Sequence, residues 1–128
     1  MKKVAFILGL LASFQSKASD LSELCDYVKG SIIISSDTDK EYLGKIESSY
    51  DSESIFNEYG QYGGEYSSKS IWNSYSKYGN EYNSYSPFNK YSYNPPLIIK
   101  NNLIIAKLTV NDSISNALNP YVLKACKF

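Results

Sequence analysis

Four short apolar runs, rich in isoleucine, leucine and valine, recur along the chain. They lie at residues 31–34, 41–46, 97–99 and 103–110. Runs of this length and β-branched composition are typical of strands. Lys100-Asn101-Asn102 separates the last two runs and predicts a hairpin turn. The pattern therefore predicts a mainly β fold, with α+β as the alternative, built on a small antiparallel sheet.

Two stretches outside these runs have helical character. Leu21, Leu24 and Val28 fall on one helical face, and Gly30 follows as a natural stop. A final turn or helix is expected over residues 113–123. The prediction is thus a sheet flanked by short terminal helices.

Residues 50–96 repeat with a period of sixteen, in three units that begin at Tyr50, Tyr66 and Tyr82. Matching positions carry a serine, a large aromatic residue, an asparagine and a second tyrosine. These are Ser54, Ser70 and Ser86, then Phe56, Trp72 and Phe88, then Asn57, Asn73 and Asn89, then Tyr59, Tyr75 and Tyr91. A shared register over three units indicates a tandem repeat.

The composition of these units predicts turns. Glycine, asparagine and serine are too frequent for a helix, and the units lack the alternation of a strand. Asparagine and serine side chains close on the backbone in compact turns. A large aromatic residue at a fixed place argues against a flexible linker. We therefore expect three similar aromatic turn units, stacked on one another or layered on the sheet.

The N-terminus has the features of an export signal. Met1-Lys2-Lys3 is positive, and the apolar run over residues 4–12 is too short to span a bilayer. Ser16-Lys17-Ala18 places small residues before a cut after Ala18. We predict a cleavable signal peptide over residues 1–18 and a single secreted or periplasmic domain over residues 19–128, with no transmembrane segment after cleavage. An uncleaved anchor or a buried helix is the alternative.

Cleavage changes the charge of the protein. The whole chain has 13 lysines, no arginine and 13 acidic residues. Removal of residues 1–18 leaves ten lysines against thirteen acids, a net charge of −3. Binding to nucleic acid depends on clustered basic residues, so we predict no nucleic-acid partner.

Two cysteines, Cys25 and Cys126, lie near opposite ends of the mature chain. An even number of cysteines in an exported protein favours a disulfide. A reactive thiol pair is the weaker interpretation, because the chain has no Cys-x-x-Cys motif and no histidine to activate a thiolate. We expect one disulfide that closes the domain.

Several short motifs resemble those of a group of uncharacterised small secreted bacterial proteins with tandem repeats rich in tyrosine, asparagine, serine and glycine. The motifs are Tyr-Leu-Gly-Lys-Ile over 42–46, the Ser-Ile-Phe-Asn-x-Tyr-Gly-x-Tyr-Gly units, Asn94-Pro95-Pro96 and Leu-Thr-Val-Asn over 108–111. Pro87 and Tyr93-Asn94 depart from the regular unit. The resemblance implies bacterial origin and export, and it transfers no catalytic residue.

The chain lacks residues that common catalytic mechanisms need. The chain contains no histidine, which is the usual base of hydrolases and the commonest metal ligand. Residues 37–41 hint at a calcium loop, but Tyr42 stands where the turn needs glycine and Ser48 where it needs glutamate. We interpret this stretch as a solvent-exposed acidic turn, and predict no metal site and no cofactor.

The aromatic units suggest binding more than catalysis. Tyrosine and tryptophan faces stack on sugar rings or anchor protein interfaces, although the same rings could form the core instead. We predict a non-enzymatic structural or interaction protein of the periplasm or cell surface, whose partner is an envelope protein or a glycan. The binding candidates are Phe56, Trp72, Phe88, Tyr59, Tyr75, Tyr91, Asn57, Asn73 and Asn89. A carbohydrate- or peptidoglycan-binding module is the alternative, and a small hydrolase using Glu65 and Glu81 is a remote one.

Overall fold

Five short strands form one sheet in the computed structural model of the chain, which describes residues 17–128. The strands are β1 (Ile32–Ile34), β2 (Tyr42–Lys45), β3 (Leu97–Lys100), β4 (Leu103–Leu108) and β5 (Ala117–Leu118). Their order in the sheet is β2-β1-β3-β4-β5. The prediction of a mainly β fold is confirmed, and the four apolar runs supply the first four strands.

The sheet is mixed, which corrects the prediction of an antiparallel sheet. β1 to β4 pair antiparallel with their neighbours, whereas β5 lies parallel to β4, with Leu108 opposite Leu118. The β3–β4 hairpin has the predicted turn, in which Asn101 and Asn102 have φ of 54° and 64°. Asparagine tolerates this left-handed backbone better than most residues.

Two short helices stand at the ends of the described chain, and a disulfide joins their neighbourhoods. α1 (Lys17–Val28) contains Cys25, and α2 (Pro120–Lys124) ends just before Cys126. The two cysteines are bonded across a sequence separation of 101, which confirms the predicted disulfide. The predicted signal peptide lies outside the described residues except for its last two. Neither helix within residues 17–128 combines the length and apolar character needed to cross a bilayer.

One hydrophobic cluster joins all parts of the fold. The sheet contributes Ile33, Leu43, Ile98 and Leu108, all fully buried. The helices add Val28 and Leu123, and the segment between β2 and β3 adds Ile55, Ile71 and Tyr78. The isoleucine that precedes the large aromatic residue of the first two units is therefore a core residue.

Residues 48–92, hereafter the turn segment, form a continuous series of hydrogen-bonded turns. In most of them an N–H donates to the C=O three positions earlier, as from Asn73 to Ser70. Two steps are longer by one position; these are Gly64 to Gly60 and Asn80 to Ser76. From Ser54 to Ser70 these bonds make four steps of three positions and one step of four. The total is sixteen positions, which is the period seen in the sequence. The tandem array as a whole stays a prediction.

Candidate functional site

Polar side chains fix the backbone at each aromatic position of the turn segment. The N–H groups of the three large aromatic residues donate to the Oγ of the serine two positions earlier, at 2.9–3.0 Å; these are Phe56, Trp72 and Phe88. The N–H groups of three tyrosines donate in the same way to asparagine Oδ1, at 2.9–3.0 Å; these are Tyr59, Tyr75 and Tyr91. Such side-chain closures set the direction of each ring.

The side-chain oxygen and nitrogen of each candidate asparagine both form hydrogen bonds with the backbone. Besides accepting through Oδ1, each donates from Nδ2 to the C=O six positions earlier, at 2.9–3.2 Å; these are Asn57, Asn73 and Asn89. An amide engaged in this way has little left to offer a ligand. Only the aromatic members of the predicted binding set therefore remain candidates for ligand contact.

Phe56, Trp72 and Phe88 lie next to one another in what we call the aromatic ladder. The ring centroids of Phe56 and Trp72 are 6.3 Å apart, and those of Trp72 and Phe88 are 5.6 Å apart. Aromatic pairs attract at these separations. The indole Nε1–H of Trp72 also donates to the carbonyl oxygen of Ile55, at 2.6 Å. The ladder is half-buried, so its rings pack on the core and remain reachable from outside.

The C-terminal strap, residues 120–128, crosses the aromatic ladder from its last ring to its first. The ring of Tyr121 lies 5.3 Å from that of Phe88, and the ring of Phe128 lies 5.7 Å from that of Phe56. Between them, Lys124 Nζ sits 4.3 Å from the centre of the Trp72 ring, within cation–π range.

The sequence interpretation did not include the strap. Tyr121, Lys124 and Phe128 are spaced three and four positions apart, as on one helical face. That spacing could have drawn attention to them, but only the fold places them on the ladder.

Six tyrosines of the turn segment point into solvent, in two sets whose members are sixteen positions apart. Their side chains are between 78% and 100% exposed; they are Tyr50, Tyr66 and Tyr82, and Tyr59, Tyr75 and Tyr91. The sequence left open whether the aromatic residues are core or surface. The structure divides them: the ladder is half-buried, and these tyrosines are on the surface.

Two adjoining grooves lie between the ladder, the exposed tyrosines and the strap. The first groove, of about 670 Å³, is lined by Phe56, Tyr59, Tyr66 and Trp72 among others. The second, of about 520 Å³, is lined by the residues sixteen positions later, which are Trp72, Tyr75, Tyr82 and Phe88. Lys124 of the strap borders both. Volumes of this size are typical of ligand sites.

Tyr91 is separated from the other candidates. It lines a third cleft, of about 470 Å³, with Lys90, Tyr93 and Asp112 among its walls. The other five aromatic candidates therefore line the two grooves. Two further tyrosines also line them, although these two were not among the binding candidates predicted from the sequence. The five are Phe56, Trp72, Phe88, Tyr59 and Tyr75, and the two additions are Tyr66 and Tyr82.

Carboxylates border both grooves. Glu65 lines the first and the second, Glu58 lines the first and Glu81 the second; all three are exposed. In the part of the chain that the structure describes, no group of three or more histidine, cysteine, aspartate or glutamate side chains could hold a metal ion. The arrangement offers ring faces, hydroxyls and carboxylates to a ligand.

The acidic turn at residues 37–41 differs from its prediction, because Asp37 is buried. Its carboxylate lies 2.7 Å from Lys77 Nζ and accepts hydrogen bonds from the Tyr78 and Ser35 hydroxyls, each at 2.7 Å. Burial raises the pKa of Asp37, but the bonds from Lys77, Ser35 and Tyr78 together outweigh burial and hold the pKa well below its usual range. The expected exposed turn is therefore wrong at Asp37, which instead ties the turn segment to the β1–β2 loop.

No family model matches this chain, and no curated protein or solved structure shows significant similarity to it. Aromatic rings, three carboxylates and one ammonium line the two grooves, together with glycine, serine, asparagine and isoleucine residues.

Proposed function

We propose that the chain is an exported, non-enzymatic interaction protein of the periplasm or cell surface, which binds an envelope partner through the two grooves. The observation that carries the proposal is the exposure of the tyrosines around grooves floored by the aromatic ladder. Contiguous exposed aromatic surface marks interaction sites. Tyrosine and tryptophan are favoured anchors there, because they offer large contact areas at little entropic loss.

Export is the second part of the proposal. Residues 1–18 have the pattern of a signal peptide, and a disulfide between Cys25 and Cys126 suits an oxidising compartment. The motif resemblance to secreted bacterial repeat proteins points in the same direction. On this proposal residues 19–128 are the working domain, and the three units of residues 50–96 form its binding surface.

The non-enzymatic assignment belongs to the same proposal. Glu65 and Glu81 are the carboxylates that a hydrolase of this kind would use, and both are exposed to solvent on the walls of open grooves. Carboxylate catalysis benefits from a site that excludes water. An exposed carboxylate on a groove wall suits recognition better than proton transfer.

Retention on bacterial envelope material tests the interaction. Wild-type protein should be retained, and the double variant Tyr59→Ser/Tyr75→Ser should lose most of that retention because one tyrosine of each groove is removed. Tyr50→Ser/Tyr93→Ser is the matched control, since neither residue lines the two grooves. Equal loss in both double variants, or in neither, would contradict the proposal.

Mass spectrometry of the exported protein tests its processing. The first residue should be Ser19. Protein that retains Met1 and residues 2–18 after export would contradict the cleavage site.

The second candidate function is a carbohydrate- or peptidoglycan-binding module. It is favoured by the combination, in each groove, of aromatic ring faces with tyrosine hydroxyls and a carboxylate. Sugar rings present both an apolar face and hydroxyl groups, and this combination matches both.

A further inference from the structure

The two grooves repeat the same chemistry along the surface. Tyr59, Glu65 and Tyr66 of the first groove correspond to Tyr75, Glu81 and Tyr82 of the second, each one unit later. The grooves adjoin, because both are bordered by Trp72. A ligand that fills both grooves with equal contacts must present the same groups at regular intervals. A linear polymer meets that condition.

The charges around the grooves favour a positive ligand. The lining of the two grooves contains three carboxylates and one ammonium; these belong to Glu58, Glu65 and Glu81, and to Lys124. None of these four groups takes part in the ion pairs found within residues 17–128. The faces of aromatic rings are themselves negative, so rings and carboxylates attract cations together.

An ammonium already occupies the boundary between the two grooves. Lys124 Nζ lies 4.3 Å from the centre of the Trp72 ring, and Glu65 borders the same two grooves. The strap thus shows how an amine fits against this surface, with its charge on a ring face. Amines of a ligand would find the same surroundings on the exposed tyrosines of each groove.

The backbone around the grooves favours a sugar chain over an extended peptide. Peptides that bind by strand addition need free main-chain groups at the site. Here the N–H groups of Tyr59 and Tyr75 donate to asparagine side chains, and those of Gly64 and Asn80 close turns. Recognition is left to side chains, which suits stacked sugar rings.

We propose that the two grooves bind a linear glycan whose sugar units carry free amino groups. This inference depends on the proposed function, because it names the ligand of the same surface. The sugar rings would stack on the tyrosines, their ammonium groups would face Glu65 and Glu81, and their hydroxyls would bond the tyrosine hydroxyls.

Titration with a β-1,4-linked glucosamine hexamer tests the inference. Binding should change the fluorescence of Trp72, the only tryptophan in the chain, and should be measurable by calorimetry. It should weaken as added salt shortens the range of the charges. The N-acetylated hexamer, which has no ammonium, should bind about tenfold or more weakly, equivalent to about 1.4 kcal/mol.

Glu65→Gln should weaken binding of the amino hexamer by a similar factor, because Glu65 borders both grooves. Glu23→Gln is the matched control, since Glu23 is exposed on α1 and lines neither groove. Circular dichroism should show both variants folded as the wild type, because surface substitutions rarely change stability by more than about 0.5 kcal/mol.

Each other outcome overturns the inference in a recognisable way. Equal binding of the amino and N-acetyl hexamers, or no effect of Glu65→Gln, removes the role of the amine. Tighter binding of hexalysine than of either sugar assigns the grooves to a basic peptide. If neither sugar binds while envelope retention still depends on Tyr59 and Tyr75, the glycan is wrong and the proposed function stands.

Discussion

Gly79 approaches another part of the turn segment so closely that a single added methyl group should strongly destabilise the fold. A Cβ at Gly79 would lie 1.9 Å from the carbonyl oxygen of Asn73 and 2.5 Å from its carbonyl carbon. An ordinary contact is 3.4 Å or more, so the two backbones would have to move apart until that gap is restored. Both residues are buried, and the atoms in the way belong to backbone that no rotamer can move.

The magnitude follows from what that separation breaks. The Asn73 carbonyl accepts the N–H of Ser76, and the Ser76 carbonyl accepts the N–H of Asn80. Losing both turns removes about 2 kcal/mol, at about 1 kcal/mol for each hydrogen bond. Overpacking adds about 1–3 kcal/mol. We expect Gly79→Ala to lower the free energy of unfolding by about 3–5 kcal/mol, out of about 5–15 kcal/mol for a domain.

Urea unfolding followed by far-ultraviolet circular dichroism measures this loss. Gly63→Ala should behave alike, because its Cβ would lie 2.1 Å from the Asn57 carbonyl oxygen. Gly64→Asn is the matched control. A Cβ at Gly64 would lie 3.1 Å from the Gly60 carbonyl oxygen, a few tenths of an ångström closer than an ordinary contact. At the corresponding place in the next unit Asn80 closes the same kind of turn and accepts the N–H of Tyr82 at 2.8 Å, so asparagine should be tolerated and should stabilise by about 0.5–1 kcal/mol.

The two kinds of glycine substitution therefore have opposite expected signs at neighbouring positions. A loss below about 1 kcal/mol for Gly79→Ala would refute the argument, because it would mean that the turns can separate without breaking. A large loss for Gly64→Asn would refute the equivalence of Gly64 and Asn80.

Three further predictions concern other contacts. Trp72→Phe removes the hydrogen bond to the Ile55 carbonyl and should cost about 1–2 kcal/mol; an unchanged urea midpoint by circular dichroism would show that this bond contributes nothing. Because the fold lowers the pKa of Asp37, its carboxylate stabilises the protein above the usual pKa of 3.8, and this contribution is lost as the pH falls below that value. Asp37→Asn should cost about 1.5–3 kcal/mol at pH 7, and the difference from wild type should shrink in acid; a difference independent of pH would contradict the assignment. Replacing Cys25 and Cys126 by serine should cost about 4–5 kcal/mol, since the disulfide closes a loop of about 100 residues, and equal thermal midpoints with and without the disulfide would disprove it.

The sheet was largely predictable because its strands carry their own signal. Isoleucine-rich runs mark β1, β3 and β4, the Tyr42-Leu43 pair marks β2, and Asn101-Asn102 marks the hairpin turn. β5 has only two residues, Ala117 and Leu118, which form no period, and its place depends on pairing with β4. A parallel edge strand of this length cannot be recognised without the fold.

The candidate site was predictable in its rings and not in its surroundings. The repeat period identifies Trp72 and its neighbours, because each follows a serine that closes a turn. The strap was missed because Lys124 meets Trp72 only after the chain has passed through β3, β4 and β5 and folded back. Asp37 was misread for the same reason, since its partners Lys77 and Tyr78 are distant in sequence and reach it only in the folded chain.

The length of the C-terminal strap matches the number of rings in the aromatic ladder. The strap places one side chain against each ring, with Phe128 on Phe56, Lys124 on Trp72 and Tyr121 on Phe88. The Cys25–Cys126 disulfide anchors the strap between Lys124 and Phe128. A fourth ring beside Phe88 would have no strap residue to meet it, unless the strap lengthened by a further turn. The number of rings in the ladder and the length of the strap are therefore matched.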